Sequence, residues 1–161
     1  MKTFAKVLSY IVFYLIQFTW GIVHNLIGLC LAIWMLITGH KPYCCGPYVY
    51  FYAPNLPGSI DGGIIYITST LSAHTNLHEM GHGLQNLCWG PLMLFVIIIP
   101  SFVRFWYREW YWKYKFPKTG KALPDYDAIW FEGQATKWGT KVMSVAWTNR
   151  KEKPMNKIYK Q

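Results

Sequence analysis

The chain has 161 residues, of which 53% are hydrophobic, 19% aromatic and only 14% charged. Such a composition excludes a disordered chain, which lacks apolar surface to bury, and leaves too few charges to cover an ordinary soluble domain. The net charge of +9 attracts anionic lipid or nucleic acid, but thirteen of the sixteen lysines and arginines lie from Arg104 onward, where a long apolar run stops. That distribution suits a membrane surface and argues against nucleic acid, whose binders carry a basic patch on a polar fold.

From Val7 to Gly39 there is no Asp, Glu, Lys or Arg, and a bilayer span needs about 20 apolar residues. Two readings fit: one long tilted transmembrane helix, or two shorter helices broken near Trp20-Gly21 and folded back within one leaflet. A cleaved signal peptide needs small residues of A-x-A type, and Phe18-Thr19-Trp20-Gly21 offers no such site, so the segment is expected to stay as an anchor. His24 and Asn25, polar groups at membrane depth, are expected to face protein.

Pro42, Gly46 and Pro47 then punctuate the chain. Tyr48 to Tyr52 and Ile64 to Thr68 read as strands, being rich in aromatic and β-branched residues, and together they predict a β-hairpin with a long loop. The second strand, just before the next helix, is placed to take an extended peptide by strand addition. Of the four cysteines, Cys30 and Cys88 lie in apolar runs and read as small buried hydrophobes. Cys44-Cys45 read as unmodified loop thiols or, alternatively, as a palmitoylation site; no CxxC spacing supports a zinc knuckle.

Residues 72–87 predict a helix that stops at Gly90-Pro91. Within it lies His78-Glu79-Met80-Gly81-His82, an HExxH pattern. Residues four apart share a helix face, so His78 and His82 can bind one zinc ion together. Glu79, one residue along, would reach the metal's water as general base. The competing reading is a capping box, with Asn76 as cap, Glu79 three residues on, and the histidines merely exposed.

Leu92 to Val103 is apolar, interrupted by Pro100, and too short to span; it is expected to lie in the interface or to dip in and return. The aromatic and cationic run from Arg104 to Lys115 suits an interfacial belt and places this face toward the cytoplasm. A last helix is predicted from about Asp125 to Ser144. No histidine follows His82, so a third downstream ligand must be a carboxylate: Glu109, Asp125, Asp127, Glu132 or Glu152. Glu132 is favoured, because Ala135, Thr136 and Gly139 would share its face and let this helix come close. Asp125 and Asp127 are expected to cap that helix or to orient a ligand. His74, four residues before His78, is a candidate fourth ligand or a neighbour shaping the cleft, and Tyr126 and Tyr114 are candidates to polarise a carbonyl.

The stretch HEMGHGLQ with Gly90-Pro91, followed by Trp130-x-Glu132-x-x-Ala135, resembles small bacterial membrane-associated zinc metallopeptidase-like proteins of gluzincin type. The resemblance implies zinc on His78, His82 and Glu132, with Glu79 catalytic. It departs at Thr136, where an Asp often orients a zinc-bound histidine. The whole reading is an α+β, mainly helical fold. It has a membrane-anchoring segment over 1–40, a zincin-like domain over 41–148 with an interfacial segment near 91–116, and a basic tail over 149–161. Its expected partners are a lipid bilayer and a peptide or protein substrate. The alternative is a non-catalytic small membrane protein that retains zinc for structure or interaction.

Overall fold

The computed structural model describes residues 2–150. The fold is α+β and mainly helical, with a small four-stranded mixed sheet. The helices are α1 (Lys2–Thr19), α2 (Ile22–Ile37), α3 (Ala73–Trp89), α4 (Ile99–Trp110), α5 (Phe116–Thr119) and α6 (Trp130–Thr148). Most of the predicted tail, including Glu152, lies outside the described residues.

The apolar N-terminal run is broken at Trp20-Gly21, where α1 and α2 meet at 91°. The break is held by polar side chains that interrupt the apolar pattern. The amides of Asn25 and Asn86 both donate to Gln17 Oε1, at 2.9 and 2.7 Å, and both also reach the Gly21 carbonyl. Gln17 in turn donates to Gly83 O of α3 at 2.7 Å. Gln17, His24 and Asn25 are therefore buried, while Leu8, Ile11, Leu15 and Phe18 of α1 and Leu26, Leu29, Ile33 and Ile37 of α2 face outward. No single described helix is long and apolar enough to cross a membrane, so one tilted span over Val7 to Gly39 is not what forms. A right-angled bend is also not a folded-back hairpin.

The two strands expected from sequence do form, but they pair in parallel, not as a hairpin. With β1 (Pro42–Cys45), β2 (Tyr48–Tyr52), β3 (Ile60–Gly62) and β4 (Ile65–Thr68), the sheet order is β1-β2-β4-β3. β2 and β4 run parallel in the register Tyr50↔Tyr66, while β1 and β3 add antiparallel at the two edges. Residues 53–64 supply the dozen or so residues that a parallel crossover requires, and β3 is formed within them. β4 is thus an interior strand and cannot accept a further one; β3 is the edge. Tyr48 fastens the sheet to α3 by donating from its hydroxyl to Met80 O at 2.9 Å.

The cysteines also differ from expectation. Cys30 and Cys88 are exposed, and of the adjacent pair Cys44 is exposed while Cys45 is buried in the core beside Tyr48 and Tyr50. Burial pushes the Cys45 thiol up to about 11, which makes it a poor nucleophile.

The N-cap position of α3 is Ser72, which makes no side-chain cap bond, and not Asn76. Asn76 is buried inside the helix and donates back to the carbonyls of Thr70 and Ser72, so the capping-box reading fails. After Gly90-Pro91 the chain turns by 116° into a continuous helical stretch, Leu94–Thr119. A π-helical turn over Leu94–Ile98 leads into Pro100, which sits in the first turn of α4, so its missing amide does not end the helix. α6 begins at Trp130, after a 3-10 turn at Tyr126–Ala128, and hence later than predicted.

α3 and α6 pack backbone to backbone. A Cβ on Gly81 would strike the Ala135 carbonyl, and one on Gly139 would strike the Leu77 carbonyl. Neither obstacle is a movable side chain. Gly139→Ala is therefore expected to destabilise the fold by at least about 1–3 kcal/mol, the usual range for overpacking. Thermal unfolding of the purified protein checks this; an unchanged midpoint would contradict the close approach.

Candidate metal centre

The helical spacing of HExxH stacks His78 and His82 one turn apart, with ring centroids 4.6 Å apart and the planes at 88°. Their Nε2 atoms are 3.1 Å apart. Glu132, in the first turn of α6, brings Oε2 to 3.0 Å from His78 Nε2 and 3.2 Å from His82 Nε2. All three residues are buried, and together they can hold a metal ion. Ligand bonds of about 2.0–2.1 Å in tetrahedral geometry set neighbouring ligand atoms about 3.3 Å apart, close to all three separations.

The surrounding hydrogen bonds decide which nitrogens carry protons. Gln85 Nε2 donates to Phe131 O at 2.8 Å and to Gln134 Oε1 at 3.0 Å, so Gln85 Oε1 is left to accept from His82 Nδ1 at 2.8 Å. Thr136 Oγ1 gives its one proton to Asp127 Oδ2 at 2.9 Å and must accept from His78 Nδ1 at 2.8 Å. Both Nδ1 atoms are donors. With both rings neutral, the Nε2 lone pairs therefore point at each other and at Glu132 Oε2, which is buried with no partner besides the two imidazoles. Three acceptors this close need a cation between them, whether proton or metal.

The charge balance agrees. Burial pulls His82 down, but the bond to Glu132 and the carboxylates of Asp61 and Glu79 outweigh it and push the imidazole up to about 9. Burial raises Glu132, yet its bonds to His78, His82 and Ser101 hold the carboxyl well below the usual range. Burial also pushes Glu79 up to about 8; the His82 charge opposes this, and Asp61 and Glu132 add to it.

A cavity of about 450 Å³ opens on the two histidines, with Glu79 and Tyr126 in its wall. His74 lies outside the cluster. Its side chain is 64% exposed, with Nε2 3.4 Å from Asp127 Oδ2, so it does not join His78, His82 and Glu132. Tyr126 stacks edge-on to His78 at 6.0 Å, and its phenol is pushed up to about 12, chiefly by burial and then by Glu132. Asp125 is exposed at the start of the 3-10 turn, and Glu109 and Tyr114 are exposed on the helical stretch after Pro100.

Three contributors were not found by sequence reasoning. Ser101 donates to Glu132 Oε1 at 2.6 Å. Gln85 orients His82; its place three residues on, along the same helix face, is a signal that was available. Asp61 lines the cavity from β3 with no local pattern to mark it. Thr136 stands where an acid was wanted, and it relays the Asp127 carboxylate to His78 through its hydroxyl. No family model matches the sequence, and no curated protein or solved structure is detectably similar to the chain.

Replacing His78, His82 or Glu132 by Ala is expected to abolish stoichiometric metal binding. Thr136→Val and Gln85→Leu should weaken it by about 10–100-fold, the usual cost of losing an outer partner. Glu109→Ala should leave it unchanged. Competition against a calibrated chelator measures each.

Proposed function

We propose that this protein is a membrane-associated zinc hydrolase of metallopeptidase type. The single observation that carries the reading is the convergence of His78, His82 and Glu132 on one point whose remaining side opens to a cavity lined by Glu79. Two imidazoles and a carboxylate suit zinc among the available divalent ions, and three protein ligands with an open position is the catalytic pattern. Zinc held there would supply Lewis acidity and lower the pKa of its water to about 7. Glu79 would act as general base, accepting a proton from water as the water oxygen bonds to the scissile carbonyl carbon, and would return that proton to the amine as the C–N bond breaks. Ser101, Gln85, and Thr136 with Asp127 hold the three ligands in place. A site kept for structure alone would be closed by a fourth protein ligand, and His74 does not supply one.

Membrane association is supported by the inverted polarity of α1 and α2. Their amides and histidine are buried, while Leu8, Ile11, Leu15 and Phe18 of α1 and Leu26, Leu29, Ile33 and Ile37 of α2 are outside. Phe95, Phe102, Val103 and Trp106 extend the exposed apolar surface to the stretch after Gly90-Pro91. Contiguous exposure on this scale marks an interaction surface. With no single helix long enough to cross, α1, α2 and α4 would sit in one leaflet, and the basic residues from Arg104 onward would put the metal on the cytoplasmic side.

Purified protein is expected to contain about one zinc per chain. Glu79→Gln should keep the metal but lower zinc-dependent peptide hydrolysis by about 100-fold or more, as loss of a general base does. A variant that retains full turnover would refute the mechanism. Leu15→Lys with Phe18→Lys should reduce flotation with phosphatidylglycerol-containing vesicles while leaving zinc content intact; unchanged flotation would remove α1 from the membrane face.

A further inference from the structure

The cavity beside the metal ligands has a composition opposite to that of the chain. The protein carries a net charge of +9, yet no lysine or arginine lines this cavity. Its ionisable wall is made of Asp61, Glu79 and Asp127 with three histidines. Asp61 is held in place from both oxygens: Oδ2 by His24 Nε2 at 2.5 Å, and Oδ1 by the Gly63 amide at 3.1 Å. With Glu132, Asp61 and Asp127 make three carboxylates around the site, so a bound divalent ion leaves negative charge in the wall.

The other wall is aromatic. Phe102, Phe105 and Trp106 of α4 line it, with Tyr126 opposite. Phe105 packs inward against Gly58. Phe102 and Trp106 are 63% and 52% exposed while also lining the cavity, so they stand at its mouth. The same helix exposes Val103, Tyr107 and Trp110. The entrance is therefore continuous with the apolar surface of α4.

We propose that the cavity takes an apolar polypeptide segment free of acidic residues, entering from the apolar side of the molecule past Phe102 and Trp106. The aromatic wall binds its side chains, and Asp61 and Asp127 exclude carboxylates. The substrate class is thus the exposed or partly extracted apolar segment of a membrane-borne polypeptide. An aqueous acidic peptide meets the carboxylates of the wall and finds no lysine or arginine to pair with. The proposal takes the identity of the bound ion and the peptide class from the hydrolase reading, but binding can be tested without turnover.

The test uses the zinc-loaded full chain carrying Glu79→Gln, in maltoside micelles, with fluorescent decapeptides read by anisotropy above protein-free micelles. One peptide has an apolar centre; its twin has two glutamates there. The apolar peptide is expected to bind at least about tenfold more tightly. Phe102→Ala and Trp106→Ala, both at exposed positions, should each weaken it about tenfold or more, and Asp61→Asn should shrink the difference between the twins. Equal binding of the twins, no binding of the apolar peptide, or no effect of Phe102→Ala and Trp106→Ala would overturn the proposal. A wild-type protein that shows this selectivity but cleaves neither peptide would overturn the peptidase reading alone.

Discussion

The contact on which the site depends is the backbone approach of α6 to α3. A glutamate side chain is short, and it reaches a point shared by two histidines only if its helix comes closer than side-chain packing normally permits. Gly81 under the Ala135 carbonyl and Gly139 against the Leu77 carbonyl remove the side chains that would keep the helices apart. Glu132 then lies one turn from Ala135 and Thr136, so its own oxygen and the hydroxyl that orients His78 arrive together. All three groups are buried, which makes the arrangement of three acceptors costly without a cation.

The N-terminal helices solve a different problem with the same economy of parts. An apolar helix has no reason to stop, and a bend in it exposes backbone polar groups that need partners. Gln17, Asn25 and Asn86 meet those groups at the Gly21 bend, and Asn25 Oδ1 also accepts from the Ile64 amide at the sheet. The neighbouring His24 is paired separately, through Nε2, with Asp61 at the cavity wall. A polar spine thus runs from the bend to the N-terminal end of β4. Phe13, Ala32 and Met35 share the inward side with these polar groups, and most of the other apolar residues of α1 and α2 face outward.

α4 joins the two halves. Its Ser101 holds Glu132, and its Arg104 and Arg108 donate to the carbonyls of residues 124–126 and lie over the Tyr126 ring at 5.6 Å. These two cations, which read as part of an interfacial belt, are spent partly on holding the loop that carries Tyr126 and Asp127. The outer side of the same helix remains apolar and exposed. Whatever seats α4 therefore also sets the position of a metal ligand and of the cavity mouth.

What the sequence alone determined was local. The 3.6-residue period puts His78 and His82 on one face whatever surrounds them. Glycine at 21 and 90 marks the two bends, and the absence of any histidine after His82 leaves only carboxylates for a third ligand. Tertiary structure decided everything that depends on distant partners. Period-2 strands carry no signal for parallel or antiparallel pairing, so β2 and β4 read as a hairpin until β3 was seen to occupy the crossover. Thr136 read as a missing acid because its proton acceptor, Asp127, is nine residues away across a turn. Gln85, Ser101 and Asp61 act through side chains that meet only after α3, α6, α4 and β3 have packed. Hydropathy, likewise, records how apolar α1 and α2 are but not which side turns inward; that was chosen by the few amides and the one histidine that needed hydrogen bonds from the rest of the fold.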